Sequence, residues 1–284
     1  MNNRKHLRVF VVVVAVLILA ALPLVASANH SWNGYHWART ANPFTVKLGD
    51  NVSGLWDGML VTASNDWSQS TVLDTTIVAG GTRPKTCRPT SGRVEVCNAN
   101  YGNTGWLGVA QIWITGGTHI TQGTVKNNDY YFGNSSYQYN NTAEMQHVIC
   151  QEIGHTFGLD HQSTSGASLN TCMDYYHNTS ASDTKSTHPN AGDYDELRCI
   201  YDPADNGKTL TSGQHTCTGT GHLDSFSTVG AAAQMPPAVA KGDFSSPSEW
   251  GRLVSTSAHG EESVFVRDLG GGNLIVTHVI WAQQ

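Results

Sequence analysis

The segment from residue 142 to residue 161 constrains the fold more than any other part of the sequence. Its apolar side chains recur with the period of an α-helix, at Met145, Val148, Ile149, Ile153 and Phe157. On that helix Gln151 and His155 lie one turn apart and share a face. Gly158 follows, where a left-handed residue ends a helix and lets the chain turn sharply. The turn would bring His161 to the same point, so the sequence predicts that these side chains hold one metal ion.

Glu152 lies about 100° further round the predicted helix than Gln151, beside the ion rather than on it. A carboxylate there can take a proton from water that the ion binds. Two histidines alone would be weak evidence for such chemistry, but Glu152, His155, Gly158 and His161 all keep one register. The segment therefore favours a metal site that activates water.

Two motifs resemble those of the metzincin zinc proteases. The stretch Q-E-I-G-H-T-F-G-L-D-H (151–161) differs from H-E-x-x-H-x-x-G-x-x-H only at its first residue, and C-M-D-Y (172–175) resembles the Met-turn that follows it. The chain is most similar to secreted bacterial matrixin-like members, over residues 37–202. The resemblance implies an α+β fold with a twisted mixed sheet, an active-site helix, a small lower subdomain and zinc-dependent endopeptidase activity.

The resemblance also implies a role for each site residue. The cofactor would be Zn²⁺, held by Gln151, His155 and His161. Glu152 would be the general base, and Met173 would lie beneath the ion. Tyr175 would reach the ion or the reacting carbonyl, with a buried structural role as the alternative.

Metzincins bind an extended peptide along an exposed edge strand, and residues 108–114 are the best candidate for that strand here. The protein or peptide substrate would then lie beside Val109, Gln111 and Trp113. Main-chain hydrogen bonds give such binding little sequence preference. An ordinary buried strand is the alternative, because it would explain the apolar content equally well.

Gln151 is the main departure from the family pattern. An amide oxygen is a poorer donor to zinc than imidazole, so the affinity should fall and the ion should become a stronger Lewis acid. His147 lies about 12 Å from His155 along the helix axis and cannot substitute for the missing ligand. Ordinary surface or core roles are expected for four other histidines: His36, His119, His177 and His188.

A zymogen feature is also missing, because residues 29–42 are too short for a propeptide with a cysteine that caps the zinc.

Two alternative functions stay open. The first is a metzincin-fold pseudoenzyme that acts as a binding protein. The second is a structural wall or surface protein without a site.

Residues 1–28 predict a secretory signal, with an apolar run over 9–25 and a small-residue cleavage pattern at 26–28. A permanent membrane anchor is the alternative. The sequence has 16 basic and 22 acidic residues, so removing Arg4, Lys5 and Arg8 changes the net charge from −6 to −9. Such a charge disfavours nucleic acid as a partner. We expect a secreted, extracellular monomer with no stable membrane insertion once the signal is cleaved.

Six cysteines in an exported chain indicate disulfides. Zinc binding by cysteine is disfavoured because the sequence has no C-x-x-C pair. Six cysteines allow 15 connectivities, so the sequence alone does not fix the pairing. The Met-turn resemblance would bring Cys150 beside Cys172. The preferred pairing is sequential: Cys87–Cys97, Cys150–Cys172 and Cys199–Cys217.

The resemblance implies a metalloprotease-like domain over residues 29–203, and the Thr-, Gly-, Ser- and Pro-rich composition that follows indicates a loop-rich extension over 204–284. Strands are predicted over 43–49, 72–80, 92–102, 105–115 and 118–132, and helices over 53–70, from 142 and over 191–202. The last helix begins with acidic residues that suit its dipole better than a metal site: Asp193, Asp195 and Glu196. Residues 204–250 are expected to be irregular, and residues 263–282 to form a β-hairpin appendage, packed on the main domain or loosely tied to it.

Overall fold

A computed structural model describes residues 30–210, 217, 221, 223–232, 244 and 246–282. The predicted signal at 1–28 lies outside these residues. The strands are β1 (His36–Trp37), β2 (Phe44–Asn51), β3 (Leu73–Ala79), β4 (Val94–Ala99), β5 (Trp106–Thr115), β6 (His119–Asn128), β7 (Arg252–Thr256), β8 (Glu262–Gly270) and β9 (Asn273–Trp281). The α-helices are α1 (Leu55–Trp67), α2 (Asp129–Phe132), α3 (Thr142–His155), α4 (Ala191–Tyr201) and α5 (Phe226–Ala232).

The strands form one mixed sheet in the order β3-β2-β4-β6-β5-β9-β8-β7, with β1 paired to β6 outside this path. The N-terminal part is parallel, because β2 pairs in parallel with β3 and β4, and β4 pairs in parallel with β6. From β5 onward each strand runs antiparallel to its neighbours. The chain is therefore a mixed fold with a large sheet and few helices.

The helices α1 and α3 pack against each other, and α3 also contacts β5, β6 and β9. Trp67, at the end of α1, is fully buried and donates a hydrogen bond to the Cys150 carbonyl over 3.1 Å. The predicted apolar stripe of α3 lies in the main core, as its periodicity requires. This packing places α3 on the part of the sheet formed by β6, β5 and β9.

The C-terminal strands continue the main sheet. The predicted hairpin corresponds to β8 and β9, joined by a turn in which Gly270, Gly271 and Gly272 all have positive φ. Strand β9 pairs with β5 along its length, from Leu274 opposite Ile114 to Trp281 opposite Trp106. The extension is thus packed on the main domain, and it adds a third strand, β7, that the sequence did not indicate.

The expectation that residues 108–114 form an exposed edge is wrong. Strand β5 lies between β6 and β9, and all of its residues are buried. Val109 lies opposite Val279, and Trp113 lies opposite Ile275. Gln111 donates a hydrogen bond to the Thr277 hydroxyl over 3.0 Å. A strand that is mostly apolar suits a central position covered on both faces, which was the alternative interpretation.

Three disulfides are formed, with the predicted pairing: Cys87–Cys97, Cys150–Cys172 and Cys199–Cys217.

The predicted strand at 118–132 ends early, because the Asn128 side chain accepts a hydrogen bond from the Tyr130 amide and starts α2. None of the helices in the described part of the chain is both long and apolar enough to cross a membrane.

Candidate metal centre

Helix α3 carries the first residues of the candidate site. It begins at the Asn141 side chain, which accepts a hydrogen bond from the Glu144 amide over 3.0 Å. It ends at His155, and Gly158 then adopts a φ of +94°. A Cβ at Gly158 would lie 2.1 Å from the Tyr35 carbonyl oxygen, so only glycine fits there. The turn carries the chain back toward the helix, as the sequence predicted.

His155 and His161 come together, with their Nε2 atoms 3.1 Å apart. The Nδ1 atom of His155 lies 2.9 Å from the Leu159 carbonyl oxygen, and that of His161 lies 3.2 Å from an Asp160 carboxylate oxygen. Both Nδ1 atoms face an oxygen acceptor, so we assign the proton of each neutral ring to Nδ1, which leaves the two Nε2 atoms facing each other. Two nitrogens bound to one tetrahedral zinc would be separated by about 3.3 Å. The separation of the pair is close to that value.

His278, in β9, is a third imidazole at this point. Its ligand atom and those of His155 and His161 all lie within 4.8 Å of one another. Its ring stacks on that of His155, with centroids 3.9 Å apart and an interplanar angle of 10°. The side chain is 1% exposed, and neither ring nitrogen makes a hydrogen bond to any described residue. None of the sequence motifs above includes this residue.

Gln151 is fully buried, and its amide group has two different environments. The Nε2 atom donates to the carbonyl oxygens of Cys172 and Asp174, over 2.8 and 2.7 Å. The Oε1 atom makes no hydrogen bond within the described part of the chain. Those two bonds fix which end of the amide is nitrogen, so the oxygen is the end left as a donor to a cation.

Glu152 lies on the next position of α3 and faces the sheet. A Cβ at Gly108 of β5 would lie 2.8 Å from Glu152 Oε1, so that glycine makes room for the carboxylate. The amides of Ala110 and Ile280 face the carboxylate and limit its pKa shift, but neither reaches it with normal hydrogen-bond geometry. Burial raises the pKa of Glu152 well above its ordinary value. The group is thus a stronger proton acceptor than an exposed carboxylate.

The segment at 172–175 lies beneath α3. Met173 is fully buried, and a Cβ at Gly154 would lie 2.5 Å from its sulfur, so the glycine permits the close approach. The Cys150–Cys172 disulfide ties this segment to the helix. The Tyr175 ring lies 4.3 Å from that of His161, and its hydroxyl donates to the Val279 carbonyl of β9 over 3.1 Å.

Burial keeps the imidazoles of His155 and His278 neutral. Burial first, and the neighbouring His161 second, lower the pKa of His155 to about 3. The pKa of His278 lies well below its ordinary value for the same reasons, with burial first and the charges of His155 and His161 second. Neutral imidazole is the form that binds a metal, and three such rings suit Zn²⁺.

The other histidines considered from the sequence are not among the three imidazoles that converge here. His147 lies near Asp174 and Glu144, and its Nε2 atom lies 3.4 Å from Gln151 Nε2. His177 lies 2.6 Å from Glu144, and His188 lies 2.6 Å from Asp66. The acidic start of α4 is structural, because Asp193 forms a capping box with Asn190.

A second group of ligating side chains lies at the β1–β6 pair: His36, His119 and Asp224. Asp224 also accepts a hydrogen bond from the Arg39 amide, and an Arg39 guanidinium nitrogen lies 3.6 Å from it. The arginine thus already supplies a positive charge to this carboxylate. These contacts form a polar network, and the ordinary role expected of His36 and His119 stays a prediction.

Comparison with protein-family models and with curated proteins finds no match to this chain.

Proposed function

We propose that the protein is a secreted, zinc-dependent endopeptidase of the metzincin type. The observation that carries the proposal is the close approach of His155 Nε2 and His161 Nε2, 3.1 Å apart, at the end of the helix that also carries the buried carboxylate of Glu152. Two ring nitrogens this close and this deeply buried need a proton or a metal cation between them. Three disulfides support export to an oxidising compartment.

Bound Zn²⁺ supplies Lewis acidity, which polarises a carbonyl and makes water more acidic. His155 and His161 hold it, and the Gln151 oxygen is a third donor. Glu152 accepts the proton of the attacking water and passes it to the nitrogen of the departing amine, so no proton is gained or lost overall. The Tyr175 hydroxyl is placed to donate a hydrogen bond to the reacting carbonyl once it leaves Val279.

Replacing Glu152 with Gln tests the reaction. Cleavage of an unfolded protein substrate should fall by at least about 100-fold, because a general base is lost. The zinc content should stay near one ion per chain, because no ligand is lost. Asp57→Asn, on the exposed face of α1, is the matched control and should change neither quantity. Zinc-dependent cleavage by Glu152→Gln at the wild-type rate would refute the mechanism.

A second candidate is a non-catalytic protein with a structural zinc site. It is favoured by the burial of the three imidazoles, because His278 and the Gln151 oxygen would complete a four-donor set with His155 and His161 and leave no open position. A structural site predicts that no variant cleaves peptides, however much zinc it binds. A catalytic site predicts that cleavage appears when one donor is withdrawn.

A further inference from the structure

We infer that β9 is a built-in latch: it supplies His278 as a metal ligand and occupies the strand edge that a substrate would need, so the described chain is the latent form. The inference rests on the proposed zinc peptidase, and it adds a ligand and a mode of regulation to that site.

His278 needs a partner that the described part of the chain does not provide. A neutral imidazole has one donor and one acceptor nitrogen, and both are buried here without a hydrogen bond. Leaving buried polar groups unpaired is costly, and a position inside the sheet keeps the ring out of water. A metal ion shared with His155 and His161 gives one of these nitrogens a partner and explains why three imidazoles converge.

The same strand covers the place where an extended peptide would bind. His278 lies opposite Ala110 of β5, and the paired register runs on through Gln111–Thr277 and Trp113–Ile275. This antiparallel pairing is the geometry by which a peptide adds to a sheet edge. Strand β9 therefore uses the main-chain hydrogen bonds on that side of β5 that a substrate would require.

Three consecutive residues of β9 contact three parts of the candidate catalytic machinery. The His278 ring meets the metal histidines, the Val279 carbonyl accepts the Tyr175 hydroxyl, and the Ile280 amide faces Glu152. Such a run would be expected of a strand that imitates a bound peptide. The proposed reaction can begin only after β9 moves away from β5.

Replacing His278 with Ala in the full chain tests the ligand. The affinity for zinc, measured against a competing chelator, should fall by at least about 100-fold, since even loss of an outer-shell partner costs 10- to 100-fold. His188→Ala removes a half-exposed histidine at Asp66 and should bind zinc like the wild type. Equal affinities of the His278→Ala variant and the wild type would overturn the inference.

A cross-link that holds β9 against β5 tests the latch itself. Gln111 and Thr277 lie opposite each other with their side chains in contact, so the double variant Gln111→Cys/Thr277→Cys can cross-link β5 to β9. The cross-linked chain should keep its zinc affinity and lose cleavage by at least tenfold. The control Gln111→Ser/Thr277→Ser removes the same side-chain contact without a cross-link, and the cross-linked chain should cleave at least tenfold more slowly than this control.

The two proposals fail in different ways. At saturating zinc, His278→Ala should cleave a peptide at least tenfold faster than the wild type. If its zinc affinity falls but no variant cleaves peptides, the ligand assignment stands and the peptidase fails. If the cross-linked chain cleaves as fast as the wild type while Glu152→Gln is inactive, the peptidase stands and the latch fails.

Discussion

At the residue scale, Gln151 has two roles that depend on opposite ends of one amide. Its nitrogen holds the carbonyls of Cys172 and Asp174, next to Met173, and its oxygen is the candidate metal donor. Histidine at position 151 should bind zinc more tightly than glutamine, and alanine more weakly, because imidazole is the better donor and a methyl group is none. Activity need not rise in Gln151→His, since a stronger donor leaves less charge on the ion.

Gln151→Ala should also destabilise the protein without metal. Two buried carbonyls lose their donor, which costs about 1–3 kcal/mol each in the free energy of unfolding. Zinc titration against a chelator and urea unfolding in the presence of chelator measure the two effects separately. An Ala variant with wild-type zinc affinity but reduced stability would leave Gln151 a structural residue only.

At the scale of elements, the turn after α3 decides whether His161 reaches the site. Gly158→Ala would place a methyl group against the Tyr35 carbonyl in addition to straining a positive φ. Gly102 has nearly the same φ, +92° against +94°, and open space around its Cβ position, so Gly102→Ala is the matched control. The control should lose about 1–2 kcal/mol in the free energy of unfolding.

Gly158→Ala should lower the free energy of unfolding clearly more than Gly102→Ala does. Its zinc affinity should also fall, while that of Gly102→Ala is unchanged. Thermal unfolding with chelator and zinc titration provide the two measurements. A zinc affinity unaffected by Gly158→Ala would show that the turn does not control the position of His161.

Periodic patterns over neighbouring residues predicted most of the helices and strands, but they could not predict which distant strands pair. The apolar stripe from Met145 to Phe157 and the alternation in β2 are patterns within one short segment, so they are visible in the sequence. The pairing of β9 with β5 joins segments about 165 residues apart, and no local period records it. His278 was missed for this reason, although a lone histidine inside the apolar run of β9 was the available signal.

At the scale of the whole molecule, the candidate zinc site links the middle of the sequence to its last strand. His155 ends α3, which packs on β5, β6 and β9, His161 follows six residues later, and His278 belongs to β9. An ion bound by all three would stabilise the docking of the C-terminal strands, because it binds only the folded arrangement. Without the ion, the same buried imidazoles lower the free energy of unfolding by an amount that depends on pH.

The metal-free protein should therefore lose stability as the pH falls from about 6.5. The pKa of His155 is lowered to about 3 in the folded state, and that of His278 is lowered as well. The unfolded chain takes up protons below pH 6.5 that the folded chain cannot, so each group removes about 1.4 kcal/mol of unfolding free energy per pH unit. Glu152, with a raised pKa, opposes this slope only above about pH 4.5, where the unfolded carboxylate is ionised.

Urea unfolding in the presence of chelator between pH 4.5 and 6.5 measures this slope. His278→Ala should flatten it because one buried imidazole is gone, and Glu152→Gln should steepen it because the opposing group is gone. His188→Ala, which removes a half-exposed imidazole, should leave most of the slope in place. His278→Ala and Glu152→Gln must therefore change the slope in opposite directions. If both changed it in the same direction, the assignment of buried neutral imidazoles and a buried proton-binding carboxylate would be contradicted.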